Sequence, residues 1–306
     1  MHLPADLLDV RAIAFDVDGT LAGADHMVSE RTLRALAALG AAGIEPIVVT
    51  GRIVDAAVEI LTAAGIDGYV IASNGAVAVD TRRAEPLHTA VMAAEDVEAL
   101  VAFALAADVE PLVFTATDMV VGLASLAYDY LVTVHPESVT RKVPVRELPR
   151  DGVTKAMLFG TTERLDSLDG AVRAAFPRAV RSMDNVFELG PAGADKWVAL
   201  AAILRRLGID PRQVAGLGDG ENDLSWLSQV GWPVAMDNAR EPVKAVARLH
   251  IGHHGDDAAA AFVEALLAAR AEAARVEAAR AEAARAEAAR TARNVPGHVR
   301  EARSAR

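Results

Sequence analysis

Short apolar runs that stop at an acid, a hydroxyl or a glycine recur through this chain, with helix-period stretches between them. The first run, Ala12-Ile-Ala-Phe15, reads as a buried parallel strand that Gly19 ends in a turn, which leaves Asp16 and Asp18 at its carboxyl end. A helix with Ser29 as its N-cap is expected over residues 29–40, then an apolar strand ending at Thr50. A helix over 54–64 and a strand to Ser73 follow. The alternation resumes near Asp195 with a helix, a strand to Gly218, a short helix and a strand at 233–236. Strands and helices in turn predict an α/β fold, a doubly wound parallel sheet whose ligands sit at the carboxyl ends of its strands. Asp16, Asp18 and Asp219 all fall at such ends.

Residues 80–188 carry none of these strand-end motifs but have element signals of their own. Helices are expected over 94–107 and 165–175 and extended segments over 111–114 and 154–159, arranged as two β-α-β halves. The expected organisation is a discontinuous core domain at 1–80 and 188–268, an α/β domain inserted at 81–187, and a tail at 269–306.

The tail is repetitive. Residues 271–290 are four near-identical units of the form Ala-Glu-Ala-Ala-Arg, the second opening with Val276. All three residue types are compatible with helix, and Glu precedes Arg by three residues in every unit. Five residues advance a helix by about 500°, so the charges spiral and no coiled-coil seam forms. The segment reads as a solvated helical extension with a disordered end; a partner-binding or oligomerising arm is the other reading.

Nine arginines against five glutamates from Arg270 onward give the tail +4, which leaves −15 for the body within the net −11. Charge of that sign disfavours general nucleic-acid binding. At 306 residues the chain is long enough for two domains. The lack of cysteine excludes disulfides and thiol chemistry and fits a reducing, cytoplasmic compartment. No basic region followed by a long apolar stretch opens the chain, so no signal peptide is read. No uncharged apolar run is long enough to expect a membrane span.

Two carboxylates as close as Asp16 and Asp18 repel unless a cation or a shared proton compensates them, and oxygen donors suit Mg²⁺. The pair alone also fits an Asp-Gly turn with solvated acids. Thr50-Gly51 offers a hydroxyl and a backbone N–H able to approach an oxyanion, or a helix N-cap. Lys196 opens a helix in a chain with only four lysines (142, 155, 196 and 244) against 27 arginines. A lysine where arginine is the default suggests that a compact point charge is wanted. The run Gly218-Asp219-Gly220-Glu221-Asn222-Asp223 ends another strand in acids and fails the dinucleotide fingerprint at Glu221. His250, His253 and His254 are read as a polar loop rather than a transition-metal site.

These four pieces, in this order, resemble the haloacid dehalogenase (HAD) phosphatase superfamily. Ser73-Asn74-Gly75-Ala76, the acidic run at 218–223, and Val234-Ala-Met-Asp-Asn238-Ala239 followed by Lys244 resemble its Cof-type (class IIB) branch. Trp197 and Asp237 stand where that branch usually has glycines. The resemblance spans roughly residues 10–265. It implies an α/β cap over the site and a Mg²⁺-dependent phosphatase of small phosphorylated metabolites, sugar phosphates or cofactor-type phosphates. By the resemblance Asp16 is the nucleophile and Asp18 the general acid and base. Mg²⁺ is held by Asp16, the Asp18 carbonyl and Asp219, with Asp223 behind them orienting Lys196 or a metal-bound water. Thr50, Gly51, Lys196 and Asn222 bind the phosphate, and Arg52 and Asn74 face the substrate. In the insert Arg141, Lys142, Arg181, His135 and Asp184 are candidate substrate contacts, each read first as solvated surface. A phosphotransferase such as a sugar phosphomutase, and a catalytically silent binding protein, are the other readings of the same scaffold.

Overall fold

All four residues of the run Ala12–Phe15 are buried, because it forms β1 in the interior of an eight-stranded sheet. A computed structural model describes residues 3–83, 86–129 and 140–293. Its next strands are β2 (Glu45–Val49), β3 (Tyr69–Ala72), β4 (Val77–Asp80), β5 (His88–Thr89), β6 (Glu110–Phe114) and β7 (Met119–Gly122). Then come β8 (Thr140–Val143), β9 (Lys155–Phe159), β10 (Val180–Met183), β11 (Val186–Leu189), β12 (Val214–Gly218), β13 (Trp232–Ala235) and β14 (Leu249–His250).

The first sheet has the order β14-β13-β12-β1-β2-β3-β4-β5. From β14 to β3 every pair is parallel, and β4 and β5 add an antiparallel edge. The strand order switches direction between β1 and β12, so the topological switch point lies between the two strands that end in Asp16 and Asp219. Register fixes this closely: Phe15 pairs with Leu217, and the Asp16 N–H donates to the Leu217 carbonyl at 2.9 Å.

Local chemistry sets the helix starts. Ser29 caps the helix Glu30–Ala41 by accepting from the Thr32 N–H at 3.1 Å, and its hydroxyl also donates to Asp257 Oδ1 at 2.6 Å. Thr50 does not cap the next helix. Val54–Ala63 begins after Ile53, without a side-chain cap, so the Thr50 hydroxyl is left for another use.

The insert forms a six-stranded sheet of order β10-β11-β9-β6-β7-β8. All its pairs are antiparallel except β7 with β8. The expected β-α-β halves are therefore corrected. In the first half the helix Ala94–Ala107 precedes both strands; in the second, Thr162–Ala175 leads to β10, which pairs with β11 instead of returning parallel to β9. The seams also shift: β5 belongs to the first sheet and β11 runs to Leu189, so the chain changes sheet several residues after 80 and slightly after 187.

Alternation along β6, β9 and β11 separates two faces. Val113, Ala156, Leu158, Phe187 and Leu189 pack under both helices of the insert. Leu112, Phe114, Met157 and Val186 face the other way and meet Ile53 and Ala56 of the first unit. That second face roofs the site.

The repeat continues a helix, Ala258–Arg293, whose first turns belong to the core. Ala258, Ala259, Phe262, Val263 and Leu266 are buried, Glu264 pairs with Arg31 at 2.6 Å, and Arg270 donates to the Val10 carbonyl. The anchored turns supply the costly nucleus for the exposed stretch 271–286. The expected disordered end lies outside the described residues. Among the described residues no helix is long and apolar enough to cross a membrane.

Candidate active site

A cavity of about 800 Å³ lies between the two sheets, at the carboxyl ends of β1, β2, β3 and β12. Asp16, Asp18, Gly51, Arg52, Asn74, Lys196, Asp219 and Asn222 line it. Thr50 and Asp223 stand behind this lining with no exposed surface. All ten candidates thus meet in one place.

Lys196 reaches the site because Asp195 caps its helix, accepting from the Trp197 and Val198 N–H groups at 2.7 and 3.3 Å. Its ammonium donates to Asp16 Oδ1 at 2.9 Å and to Asp223 Oδ1 at 2.7 Å. Burial disfavours that charge, but Asp16 and Asp223 outweigh it and hold the ammonium well above its ordinary pKa. Burial, then Asp223, push the Asp16 carboxyl well above the carboxylate range, with Lys196 pulling against them. Asp223 has no free capacity. Trp226 Nε1 shares its Oδ1 at 3.1 Å, and the Asp219 and Gly220 N–H groups donate to Oδ2 at 3.2 and 3.1 Å. The side chain orients Lys196 and folds the loop that carries Asp219.

Two residues past Asp16, the Asp18 side chain turns aside. Arg52 forks onto it, Nε to Oδ2 at 3.1 Å and Nη2 to Oδ1 at 2.7 Å, and Nη2 also donates to the His26 carbonyl. Arg52, expected to face substrate, lines the cavity while orienting Asp18. Thr50 Oγ1 accepts from the Arg52 N–H at 3.0 Å, and among the described residues its hydroxyl hydrogen has no acceptor. Among the described residues the Gly51 N–H has no acceptor either.

Asp219 sits over Gly19. A Cβ at Gly19 would fall 2.3 Å from Asp219 Oδ2, and the glycine has φ +79°, so this position needs a residue without a side chain. Asn238 then fixes the carboxylate, its Nδ2 donating to Asp219 Oδ2 at 3.2 Å and to the Gly19 carbonyl at 2.8 Å. Burial and the charge of Asp223 raise Asp219 to about 6, with Lys196 opposing. Carboxylate oxygens of Asp16, Asp219 and Asp223 lie within 4.8 Å of one another. The four acids Asp16, Asp18, Asp219 and Asp223 outnumber the two cations hydrogen-bonded to them, Lys196 on Asp16 and Asp223 and Arg52 on Asp18. An all-oxygen donor set with that excess fits a divalent cation such as Mg²⁺.

The roof contributes residues that the sequence reading left unassigned. Lys155 of β9 is buried and donates to the Gly51 carbonyl at 2.8 Å; Glu188 of β11 accepts from Asn74 Nδ2 at 2.9 Å. Lys155 is one of the four lysines, so the rarity that singled out Lys196 pointed to it equally. Arg181 and Asp184 line the cavity. Arg141 and Lys142, on edge strand β8, are not among its lining residues; Arg141 pairs with Asp118 and Lys142 lies over the Tyr128 ring. His135 lies outside the described residues. The three histidines of the 250–254 loop each engage a separate backbone group: His250 the Lys244 carbonyl, His253 the Gly255 N–H, His254 the Ala22 carbonyl. Trp197 packs against the core, not into the cavity, and Asp237 is exposed without a positive φ, so neither family glycine is missed here.

A family model described as haloacid dehalogenase-like hydrolase matches residues 13–263. The HMP-PP phosphatase of Escherichia fergusonii is 29% identical over 240 residues, covering 77% of this chain and 87% of the relative. The HMP-PP phosphatase of Serratia proteamaculans is 30% identical over 243 residues with the same coverage, 77% and 87%. A solved HAD subclass IIB sugar phosphatase superposes with TM-score 0.70 at 25% identity, over 83% of this chain and 98% of that one. A haloacid dehalogenase-like hydrolase from Bacteroides thetaiotaomicron shares the fold with TM-score 0.76 at 24% identity, over 84% of this chain and 99% of that one.

Proposed function

The chain belongs to the haloacid dehalogenase-like hydrolase family, in its Cof-type branch, and on that footing we propose that it is a Mg²⁺-dependent phosphatase of small phosphorylated metabolites working through an aspartyl-phosphate. The observation that carries this reading is the pairing of two differently held acids in one cavity. Asp16 lies 2.9 Å from the buried Lys196 ammonium, while Asp18 is turned away by the Arg52 fork.

Asp16 attacks phosphorus in line with the leaving oxygen. Lys196 orients its carboxylate and offers a third hydrogen to a phosphoryl oxygen. The Thr50 hydroxyl, the Gly51 N–H and the Asn222 amide add neutral donors, so positioning and charge compensation do most of the work, as phosphoryl transfer requires. Asp18 gives its proton to the departing alkoxide and then takes one from the water that hydrolyses the intermediate. Its carboxyl must be protonated in the first step, and the bidentate Arg52 contact keeps it aimed. Mg²⁺ would be held by Asp16, Asp219 and the Asp18 carbonyl and would supply charge neutralisation and orientation at the phosphoryl group.

The substrate follows in class only: the relatives named above are HMP-PP phosphatases and a sugar phosphatase, and a cavity of about 800 Å³ is of small-molecule size. The test is phosphate release from a panel of phosphorylated metabolites, with Mg²⁺ and with chelator, beside Asp16→Asn. Mg²⁺-dependent release lost in the variant supports the proposal. Transfer to a second hydroxyl instead of water would make the protein a phosphotransferase.

A further inference from the structure

Two hydrogen-bonded chains run from the roof of the cavity to the residues assigned above to the phosphate. The first begins at Lys155, whose ammonium donates to the Gly51 carbonyl at 2.8 Å. That carbonyl belongs to the peptide whose N–H, on Arg52, donates to Thr50 Oγ1 at 3.0 Å. A cationic donor on a carbonyl polarises its peptide and strengthens what the N–H gives. Thr50 Oγ1 is thereby occupied as an acceptor, and its hydrogen is directed elsewhere. The second chain begins at Glu188. An ionised carboxylate only accepts, so the Glu188 contact at 2.9 Å fixes which end of the Asn74 amide faces the roof. Asn74 Oδ1 must then face away, and it accepts from Asn222 Nδ2 at 3.4 Å. The two chains are tied at both ends: the Asn74 N–H donates to the Thr50 carbonyl at 3.0 Å, and Lys155 stands 3.9 Å from Glu188.

We propose that Lys155 and Glu188 are positioning residues that act through Gly51–Arg52 and Asn74 to aim the Thr50 hydroxyl and the Asn222 amide at the transferring phosphoryl group. Seating the roof and presetting two phosphate donors are then one event, and the insert contributes to the chemical step without touching phosphorus. The placement of Lys155 argues for a purpose beyond packing. Its ammonium is buried between the Phe114 ring at 4.3 Å and the core loop, where burial drives its pKa below the ordinary value despite Glu188. A methionine would fill such a place without desolvating a charge. The inference rests on the phosphatase reading for the identity of the ligand.

Double-mutant cycles in the full-length, Mg²⁺-loaded protein test it, read both as kcat with p-nitrophenyl phosphate and as affinity for inorganic phosphate by calorimetry. Lys155→Met is expected to lower kcat about 10- to 100-fold in the native background, the scale of a misplaced donor, but no more than about threefold in Thr50→Val. Glu188→Gln, whose amide permits Asn74 to turn over, is expected to show the same loss of effect in Asn222→Ala. Losses that are equal in both backgrounds would overturn the proposal, as would folded single variants within about twofold of the native kcat and phosphate affinity. If Lys155→Met does not fold, the Glu188→Gln cycle decides by itself. Failure of the phosphatase reading shows separately, as a native protein whose phosphate release does not depend on Asp16, and the calorimetric cycle still reads the coupling.

Discussion

The Lys196 ammonium and the Asp223 carboxylate lie 2.7 Å apart, and neither side chain is more than 1% exposed. Such a pair is poor evidence of stability in itself, yet removing one member strands a buried charge. Asp223 also holds Trp226 and the turn at Asp219–Gly220, so one carboxylate links the lysine to the loop of the opposite acid.

Asp223→Ala is therefore expected to cost about 3–5 kcal/mol in urea unfolding, and kcat should fall with it because Lys196 and Asp219 both lose their reference. Asp223→Asn, which keeps the shape but turns two donors against an NH₂ group, should lie between. Native stability in Asp223→Ala would show that Lys196 is held by Asp16 alone.

The acids give the metal-free protein a defined pH response. Asp219 titrates near 6 when folded against 3.8 for an ordinary Asp, because burial and then Asp223 raise it. Between those values the folded state holds the extra proton, so stability falls as pH rises through the window. Asp16, also raised, acts in the same direction. Metal ligands must be deprotonated, so Mg²⁺ relieves this destabilisation where the acids are ionised. The rise in Tm on adding Mg²⁺ should be larger at pH 7 than at pH 5 and should vanish with EDTA. Equal shifts at both pH values would contradict the proposed ligands.

Gly75 controls the approach of the helix that carries Lys196. A Cβ there would lie 2.4 Å from the Asp195 backbone, at φ +97°. Gly75→Ala should cost about 1–3 kcal/mol in strain and lower kcat by displacing Lys196. Thermal unfolding beside steady-state kinetics reads both; an unchanged kcat would mean that the helix start adjusts freely.

Residues 271–286 are exposed throughout, whereas Arg270 still bonds to the core. Deleting 271–306 should leave kcat, Tm and the mass per particle divided by protomer mass unchanged, as measured by light scattering. A changed protomer number would assign the repeat to assembly.

Four residues of the site were legible in the sequence because each follows an apolar strand, and a parallel sheet brings strand ends together. Asp16, Thr50, Asn74 and Asp219 follow β1, β2, β3 and β12 in that way. Ser29 was legible as a cap for a similar reason, since its role is local. The insert read less well. Its helices were visible from their period, but the antiparallel pairing of β6 with β9 depends on contacts between segments far apart in sequence, and β10 and β11, joined by Asp184-Asn185 alone, pair locally as a hairpin. Glu188 escaped because it sits inside an ordinary strand, and Lys155, marked only by the rarity of lysine, opens another; the roof's position over Gly51 and Asn74 gives both their role. The Arg52 fork on Asp18 escaped for a different reason: the chain's many arginines make no single one conspicuous.

The most direct test is to find where the phosphoryl group rests. Asp18→Asn should slow hydrolysis of the intermediate; mixed with substrate and Mg²⁺, quenched in acid and mapped by mass spectrometry, it should carry phosphate on Asp16 and nowhere else. Phosphate bound at another residue, or steady release by Asp16→Asn at the native rate, would contradict the account.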